Sequence, residues 1–279
     1  MPTTFKYNKG ATDLSAAATW NPATAPSTPW ASGDAVLFAE GGPVTFTIPA
    51  ALEAIALATA TFQPAFTSNI GSSSSGLQLD LSNGTGRLDL NFGGQYAYFN
   101  GNGNTWKEIW IRPVNAALVY INNVVNSSIF YASSGTTKIG ADTTLVDGRI
   151  QGTAAVDIPG HTGGTDEVGD WLLCGRSTVY LARKIATTKV WRVQAGCKLT
   201  LDFDGTHDGV VYLDGGEVDV RVGTLTIIGN SGKINARSYR GTGTLTITDT
   251  PDLVEEYGPN KPTISRTETF GSGSKQFNY

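Results

Sequence analysis

Short runs of alternating apolar and polar residues recur along most of the chain, and this period of two is typical of strands with one buried face. Gly, Asn and Asp separate most of the runs, and these residues favour turns. The pattern predicts an all-β chain of many short strands. The clearest runs lie at 34–38, 44–48, 109–111, 171–173, 199–203, 210–213, 225–227 and 245–247.

Two architectures could produce such short strands. In an antiparallel β-sandwich the Asn-Gly and Asp-Gly pairs would form hairpin turns, whereas in a β-solenoid they would form the corners of stacked parallel coils. The near copies GTLTIIGN at 223–230 and GTLTITDT at 243–250 favour the solenoid, because a fixed period of this size indicates stacked repeats. Thr at alternate positions of both copies suits an outward ladder. We therefore predict a single-domain parallel β-helix, with the sandwich as the alternative.

The apolar run at 50–60 fits two kinds of element. Leu52, Ile55 and Thr59 fall on one helical face, but Ile55, Leu57 and Thr59 also alternate as in a strand. We favour a strand, because the neighbouring segments are predicted strands and Thr61 continues the alternation.

Both ends of the chain differ from the middle. Residues 1–33 contain four prolines, which lack the donor that a sheet ladder needs, and are predicted to form an N-terminal arm or cap. Residues 34–250 form the predicted solenoid. Residues 251–279 mix aromatics with Gly, Ser and Pro and are predicted to be an extended C-terminal arm without strand pairing of its own. Aromatic residues near the ends are the candidate interface residues: Phe5, Tyr7, Trp20, Trp30, Tyr257, Phe270, Phe277 and Tyr279.

Charge and cysteine content narrow the function classes. Only 16% of the 279 residues are charged and the formal net charge is −4, which disfavours binding to nucleic acid because acidic surfaces repel phosphates. The first residues show no apolar signal segment, and no run is long enough to span a membrane, so we expect synthesis in the cytoplasm and no membrane partner. Cys174 and Cys197 form no framework of disulfides and are predicted to be buried free thiols.

The two histidines give no catalytic pattern. His161 lies in Pro-Gly-His-Thr-Gly-Gly and His207 in Asp-Gly-Thr-His-Asp-Gly, so both are predicted to be exposed turn residues. The six tryptophans are spread over the chain and indicate core packing rather than a sugar groove.

The carboxylates offer two hypotheses. A calcium site would use Asp202, Asp204, Asp208 and Asp214, but the turn lacks the terminal Glu of an EF-hand loop. Glycoside hydrolysis would need a pair of carboxylates, and nothing in the sequence distinguishes one pair from the others. The candidates for this pair are Asp166, Glu167, Asp170, Asp202 and Asp219. We therefore predict no catalytic residue, cofactor or metal, and no enzyme activity.

Five sequence features follow one another near the N-terminus: Trp-Asn-Pro at 20–22, Gly-Asp-Ala-Val-Leu-Phe at 33–38, an alternating strand at 44–48, an Ala/Leu strand at 56–62 and Pro-Ala-Phe-Thr-Ser-Asn-Ile-Gly at 64–71. By this order of features the N-terminal segment from Trp30 to Leu81, about a quarter of the chain, resembles a class of β-helical structural proteins of phage virions, of the capsid decoration or cement type. A weaker resemblance is to the strand repeats of autotransporter passengers, which the lack of a signal segment and of room for a translocator barrel disfavours.

The resemblance implies a protein of the capsid surface that binds the major capsid protein, bridges its subunits and forms a homotrimer. Two alternatives stay open. One is a tail spike or fibre that binds or cleaves host polysaccharide, and the other is an exported β-helical adhesin.

Overall fold

The computed structural model is an all-β parallel β-helix of about 10 turns, without a helix in the part of the chain that it describes. The predicted fold class is confirmed, and the antiparallel sandwich is wrong because consecutive coils pair in parallel. Contacts divide the chain into two compact units, Met1–Leu145 (unit 1) and Val146–Tyr279 (unit 2). The structure describes residues 3–7, 19–21, 31–41, 55–71, 86–101, 103, 105–162, 167–249, 253–270 and 273–278.

Unit 1 is built from two parallel stacks of short strands. β1, β3, β4, β5, β7 and β9 pair in that order, and β6, β8 and β10 form the second stack. β2 pairs with β1 in the antiparallel sense. The strands are β1 Thr4–Tyr7, β2 Trp20–Asn21, β3 Ala35–Phe38, β4 Thr59–Phe62, β5 Arg87–Leu90, β6 Tyr96–Asn100, β7 Thr105–Ile111, β8 Leu118–Asn122, β9 Val125–Ala132 and β10 Thr136–Ile139.

Alternation along these strands sends every second side chain into the core of unit 1. Phe38 and Phe62 are fully buried and stack at 4.3 Å between ring centroids, because their strands pair in register. The favoured strand within 50–60 is confirmed at its C-terminal end, where β4 begins at Thr59. Residues 50–54 lie outside the described residues.

Unit 2 stacks its strands into two long parallel sheets and one short pair. The first sheet holds β11, β14, β17, the N-terminal halves of β19 and β20, then β21 and β23. The second sheet holds β12, β15, β18, the C-terminal halves of β19 and β20, then β22, and β13 pairs with β16. The strands are β11 Asp147–Ile150, β12 Ala155–Ile158, β13 Glu167–Val168, β14 Trp171–Leu173, β15 Thr178–Leu181, β16 Lys184–Ile185, β17 Val190–Gln194, β18 Lys198–Leu201, β19 Thr206–Val220, β20 Thr224–Ala236, β21 Thr244–Asp249, β22 Leu253–Tyr257, β23 Thr263–Phe270 and β24 Gly273–Asn278.

The near-copied segments are neighbouring rungs of the first sheet. Leu225 pairs with Leu245 and both are buried, while Thr226 pairs with Thr246 on the outward side. The interpretation of this repeat as stacked coils is confirmed.

Trp171 and Trp191 pack in the core of unit 2, as predicted for the tryptophans, whereas Trp110 of unit 1 lies on the outward side of its strand and departs from that prediction. Trp171 and Trp191 are 2% and 0% exposed and stack at 4.9 Å, one coil above the other. Their indole N–H groups donate to Val146 O and Gly169 O. Gly148 precedes them in the same column, where a Cβ atom would lie 2.5 Å from the Trp171 ring. In unit 1, Trp106 is also fully buried.

The C-terminal segment departs from its prediction. The expectation of a segment without strand pairing is wrong, because β22 pairs with β20, β23 pairs with β21, and β24 folds back on β23. The sequence does not show the apolar alternation of a strand here, because the charged residue Arg266 occupies an inward position of β23. This position pairs with the core residue Ile247.

An ion cluster accommodates Arg266 at this position. Its guanidinium lies 2.6 Å from the fully buried carboxylate of Asp249, and it also contacts Glu255 and Glu268. The column of apolar side chains therefore ends on a set of paired charges.

No helix in the described part of the chain is long and apolar enough to cross a membrane.

Candidate functional site

A ladder of three tyrosines lies on the outward side of unit 1. Tyr96 and Tyr98 alternate with buried residues along β6, and Tyr120 occupies the rung above Tyr98 in β8. The rings of Tyr98 and Tyr120 stack at 4.2 Å with an interplanar angle of 2°, and Tyr96 meets Tyr98 edge-on at 5.7 Å. All three side chains are half-exposed. We call this set the tyrosine ladder.

Neighbouring side chains make the tyrosine ladder a surface that can both pack and hydrogen-bond. Asn100 pairs with Asn122 on the same outward side, and Lys138 follows Tyr120 on the next rung. A hydrogen bond with Tyr120 and some burial raise the pKa of Tyr98. The surface therefore offers flat aromatic area, hydroxyl and amide groups, and one cation.

A second outward cluster in unit 1 surrounds Trp110. Its ring lies 5.0 Å from that of Tyr131, and the guanidinium of Arg87 lies 4.5 Å from its centroid. Arg87 pairs with Glu108, and Arg112 pairs with Asp89, which is nearly buried. These charges are balanced within the cluster, and the faces of the indole are covered by its own neighbours. The cluster therefore differs from the tyrosine ladder in that paired charges surround its aromatic rings.

The predicted interface residues fall in different places. Phe5 and Tyr7 are 5% and 2% exposed, and Tyr7 packs on Phe38 and Phe66, so little of either ring reaches the surface of this chain. Burial raises the pKa of Tyr7. Tyr257 is half-buried, and its hydroxyl donates to Glu255 Oε2 at 2.7 Å.

The side chains of the other five predicted interface residues lie outside the part of the chain that the structure describes. Trp30 and Tyr279 lie outside the described residues, as do the side chains of Trp20, Phe270 and Phe277. The interface role of all eight residues stays a prediction.

Ion pairs hold the carboxylates considered for catalysis. Glu167 lies 3.0 Å from Lys184, and Asp170 lies 3.2 Å from Lys189. Each of these two carboxylates is thus engaged by a lysine ammonium of a neighbouring coil.

The other catalytic candidates of unit 2 are also engaged. Asp202 accepts from the Tyr180 hydroxyl and pairs with Arg240, while Asp219 lies 3.8 Å from Lys198. Asp166 lies outside the described residues, and within those residues no three His, Cys, Asp or Glu side chains form a metal-binding group.

His207 contradicts its prediction as an exposed turn residue. β19 begins at Thr206, so His207 takes an inward position and is only 4% exposed. Its Nδ1 accepts from the backbone N–H of Ile185 at 3.1 Å, and its ring meets Phe203 edge-on. Burial lowers the pKa of His207 to about 4. His161 is half-exposed.

This buried histidine predicts a loss of stability in mild acid. This histidine takes up a proton near pH 6.5 in the unfolded chain, but only near pH 4 in the folded chain. The folded state therefore has its full stability above pH 6.5 and loses stability as the pH falls towards 4. The shift corresponds to about 3 kcal/mol. In urea unfolding at pH 7 and pH 4.5, His207→Gln should lose less stability between the two pH values than the wild-type chain. His161→Gln is the matched control and should lose as much stability between the two pH values as the wild-type chain does. If all three chains lost the same free energy of unfolding, His207 would not be the source of the acid sensitivity.

Both cysteines are free thiols, as predicted, but only Cys197 is buried, whereas Cys174 is partly exposed.

Comparison of the chain with family models, with curated proteins and with solved structures gives no match.

Proposed function

We propose that this chain is a non-enzymatic structural protein of a phage virion, which decorates the outer capsid shell and bridges subunits of the major capsid protein. The tyrosine ladder of unit 1 is the observation that carries the proposal. The resemblance of the N-terminal quarter to β-helical virion proteins indicates which class of protein the partner belongs to, a capsid protein.

The tyrosine ladder has the properties of a protein-binding surface. Tyrosine is enriched among the residues that dominate binding energy at interfaces. Tyr98 and Tyr120 are already stacked on adjacent rungs, so binding would order few additional rotamers. A preorganised aromatic surface with hydroxyl and amide groups at its edge suits a flat, mostly uncharged area of a capsid subunit.

A rigid stack of coils suits a protein that reinforces a shell. Parallel rungs are joined by backbone hydrogen bonds at every strand, so a load on one rung is shared with its neighbours. Within this proposal the chain acts as a homotrimer, since each further contact with the shell is then intramolecular and adds avidity.

The proposal predicts that the chain sediments with purified, expanded phage capsids. It also predicts that this binding requires the tyrosine ladder. The double variant Tyr98→Ala/Tyr120→Ala removes two adjacent anchors and should weaken binding by about 30-fold or more. Tyr180→Ala, which removes a half-exposed tyrosine of unit 2, is the matched control and should bind as the wild-type chain does.

Each result of this assay has a distinct meaning. Wild-type binding that the double variant retains would exclude the tyrosine ladder as the contact. Absence of wild-type binding to shells would refute decoration, and sedimentation with isolated tails or depolymerisation of host polysaccharide would favour a tail spike instead.

A further inference from the structure

The two long sheets of unit 2 end differently on the side of their last coil. The first sheet ends on a hairpin, because β24 folds back on β23 in the antiparallel sense. The second sheet ends on the single parallel strand β22, which pairs with β20 on one side. No strand within the described residues pairs with its other side. We call that side the β22 edge, and its residues are Leu253–Tyr257.

The backbone of the β22 edge is complementary to one class of ligand. The strand before it, β20, pairs with β19 on one side and with β22 on the other, whereas β22 has a ladder of hydrogen bonds on one side only among the described strands. Alternate residues of a strand direct their N–H and C=O groups to the same side, so the β22 edge presents donors and acceptors at the spacing of an extended chain. An extended polypeptide satisfies both kinds of group in register, as an added strand.

The outward side chain of Val254 indicates the first side chain that an added strand would carry. Val254 is 54% exposed and is one of three exposed large apolar side chains in the part of the chain that the structure describes. It continues the row in which Lys233 occupies the previous rung. An added strand would place a side chain beside Val254 at a rung spacing of about 4.8 Å, and an apolar side chain there would remove the valine from water.

Charge indicates the second side chain of the added strand. Inside the sheet, Glu217 has a lysine on the rung to either side, since Lys198 lies 2.9 Å away and Lys233 is its register partner. Glu256 lies 2.9 Å from Lys233 and 2.9 Å from Arg237, and both cations belong to the coil of β20. On the far side of Glu256 no described strand follows. Continuing the interior pattern by one rung places a basic side chain there, two residues from the apolar one.

We propose that the β22 edge binds an extended segment of a partner protein as an additional strand. The segment carries an apolar residue beside Val254 and, two residues along, a lysine or arginine beside Glu256. The backbone groups of β22 supply the hydrogen bonds, and the two side chains supply the selectivity. This site lies in unit 2 and does not involve the tyrosine ladder of unit 1, so the inference goes beyond the capsid role and does not rest on it.

The test uses the full chain and a short fluorescein-labelled peptide in which threonine alternates with valine and the central valine is replaced by lysine. Valines on both sides of the lysine allow the peptide to pair in either direction. Fluorescence anisotropy should show saturable binding. The same peptide with glutamate in place of lysine should bind about 10-fold more weakly, because like charges would meet at Glu256. Glu256→Lys should reverse this preference.

Backbone methylation of the peptide separates strand pairing from side-chain contact. Methyl groups on the amides of both edges remove the donors and keep every side chain, so this peptide should bind about 30-fold more weakly or not at all. Methyl groups on the amides of one edge are the matched control, because the other edge is free to pair and binding should be kept. Equal binding of the unmodified peptide and both methylated peptides would overturn the inference.

Hydrogen exchange of the full chain locates the bound peptide. Protection should rise at Leu253–Tyr257, whereas the inner strand Thr178–Leu181 of the same sheet should not change. No saturable binding at the highest soluble peptide concentration, or protection at Gly273–Asn278 of β24 instead, would overturn the inference.

Self-association of the chain is a separate outcome of the same measurement. Protection of the β22 edge that grows with chain concentration in the absence of peptide would identify a second copy as the occupant and would overturn the inference. Circular dichroism shows whether Glu256→Lys is folded, and the peptide comparisons on the wild-type chain decide the matter if it is not. The assay contains no capsid, so its outcome is independent of whether the chain binds a shell.

Discussion

Replacing Trp191 by alanine is expected to lower the free energy of unfolding by about 3–5 kcal/mol, the usual cost of removing a fully buried tryptophan. Trp191 has no exposed surface, stacks on Trp171 and donates to Gly169 O at 3.1 Å. Alanine would leave a cavity between coils and a buried carbonyl without its donor. Urea unfolding followed by far-ultraviolet circular dichroism measures the loss.

The matched control for this variant is Arg192→Ala. Arg192 is the next residue of the same strand but points outward, and it is exposed. Its removal should change the free energy of unfolding by less than about 1 kcal/mol. If the two variants had similar effects, the inward and outward assignment of β17 would be wrong.

Replacing Arg266 by glutamine is the second change with a large expected effect. The guanidinium is the cation shared by Asp249, Glu255 and Glu268, and the side chain of Asp249 is fully buried. Removing one partner of a buried ion pair leaves an uncompensated charge, which costs about 3–5 kcal/mol. We expect a loss of that size at pH 7 in the same unfolding assay.

The acid dependence of this variant separates electrostatics from packing. Burial raises the pKa of Asp249, and protonation of this carboxylate removes a buried charge that Arg266 compensates, so the difference in stability between Arg266→Gln and the wild-type chain should shrink as the pH falls from 7 to 4. Arg266→Lys keeps the charge, although it loses the two-pronged contact with Asp249, and should be less harmful than glutamine. A difference that is independent of pH would show that the cluster acts only through packing.

The period-two alternation of apolar residues and the repeated segments were enough to predict the parallel β-helix. The copies at 223–230 and 243–250 indicated both the stacked parallel coils and the outward threonines. The same patterns gave wrong predictions where a polar residue occupies an inward position of a strand. His207 sits between aspartates and glycines that indicate a turn, and Arg266 interrupts the alternation of β23. In both cases burial depends on a partner, the Ile185 N–H or the Asp249 carboxylate, that lies on another rung.

The tyrosine ladder was not predicted. The one signal for it in the sequence is that Tyr96 and Tyr98 are separated by a single residue, the spacing of neighbours on one side of a strand, and both lie on the outward side of β6. The stacking of Tyr98 on Tyr120 depends on the length of the coil between them, and coil lengths vary along the chain. Register between rungs is thus a property of the folded stack, and a single sequence carries no direct signal for it.

Cryo-electron microscopy of expanded phage capsids incubated with the full chain is the most direct test of the proposed role. The proposal predicts symmetric density on the outer shell that fits the coil stack, with the tyrosine ladder of unit 1 against capsid subunits, and weaker or absent density for Tyr98→Ala/Tyr120→Ala. Bare shells at saturating protein, or density confined to the tail, would contradict it.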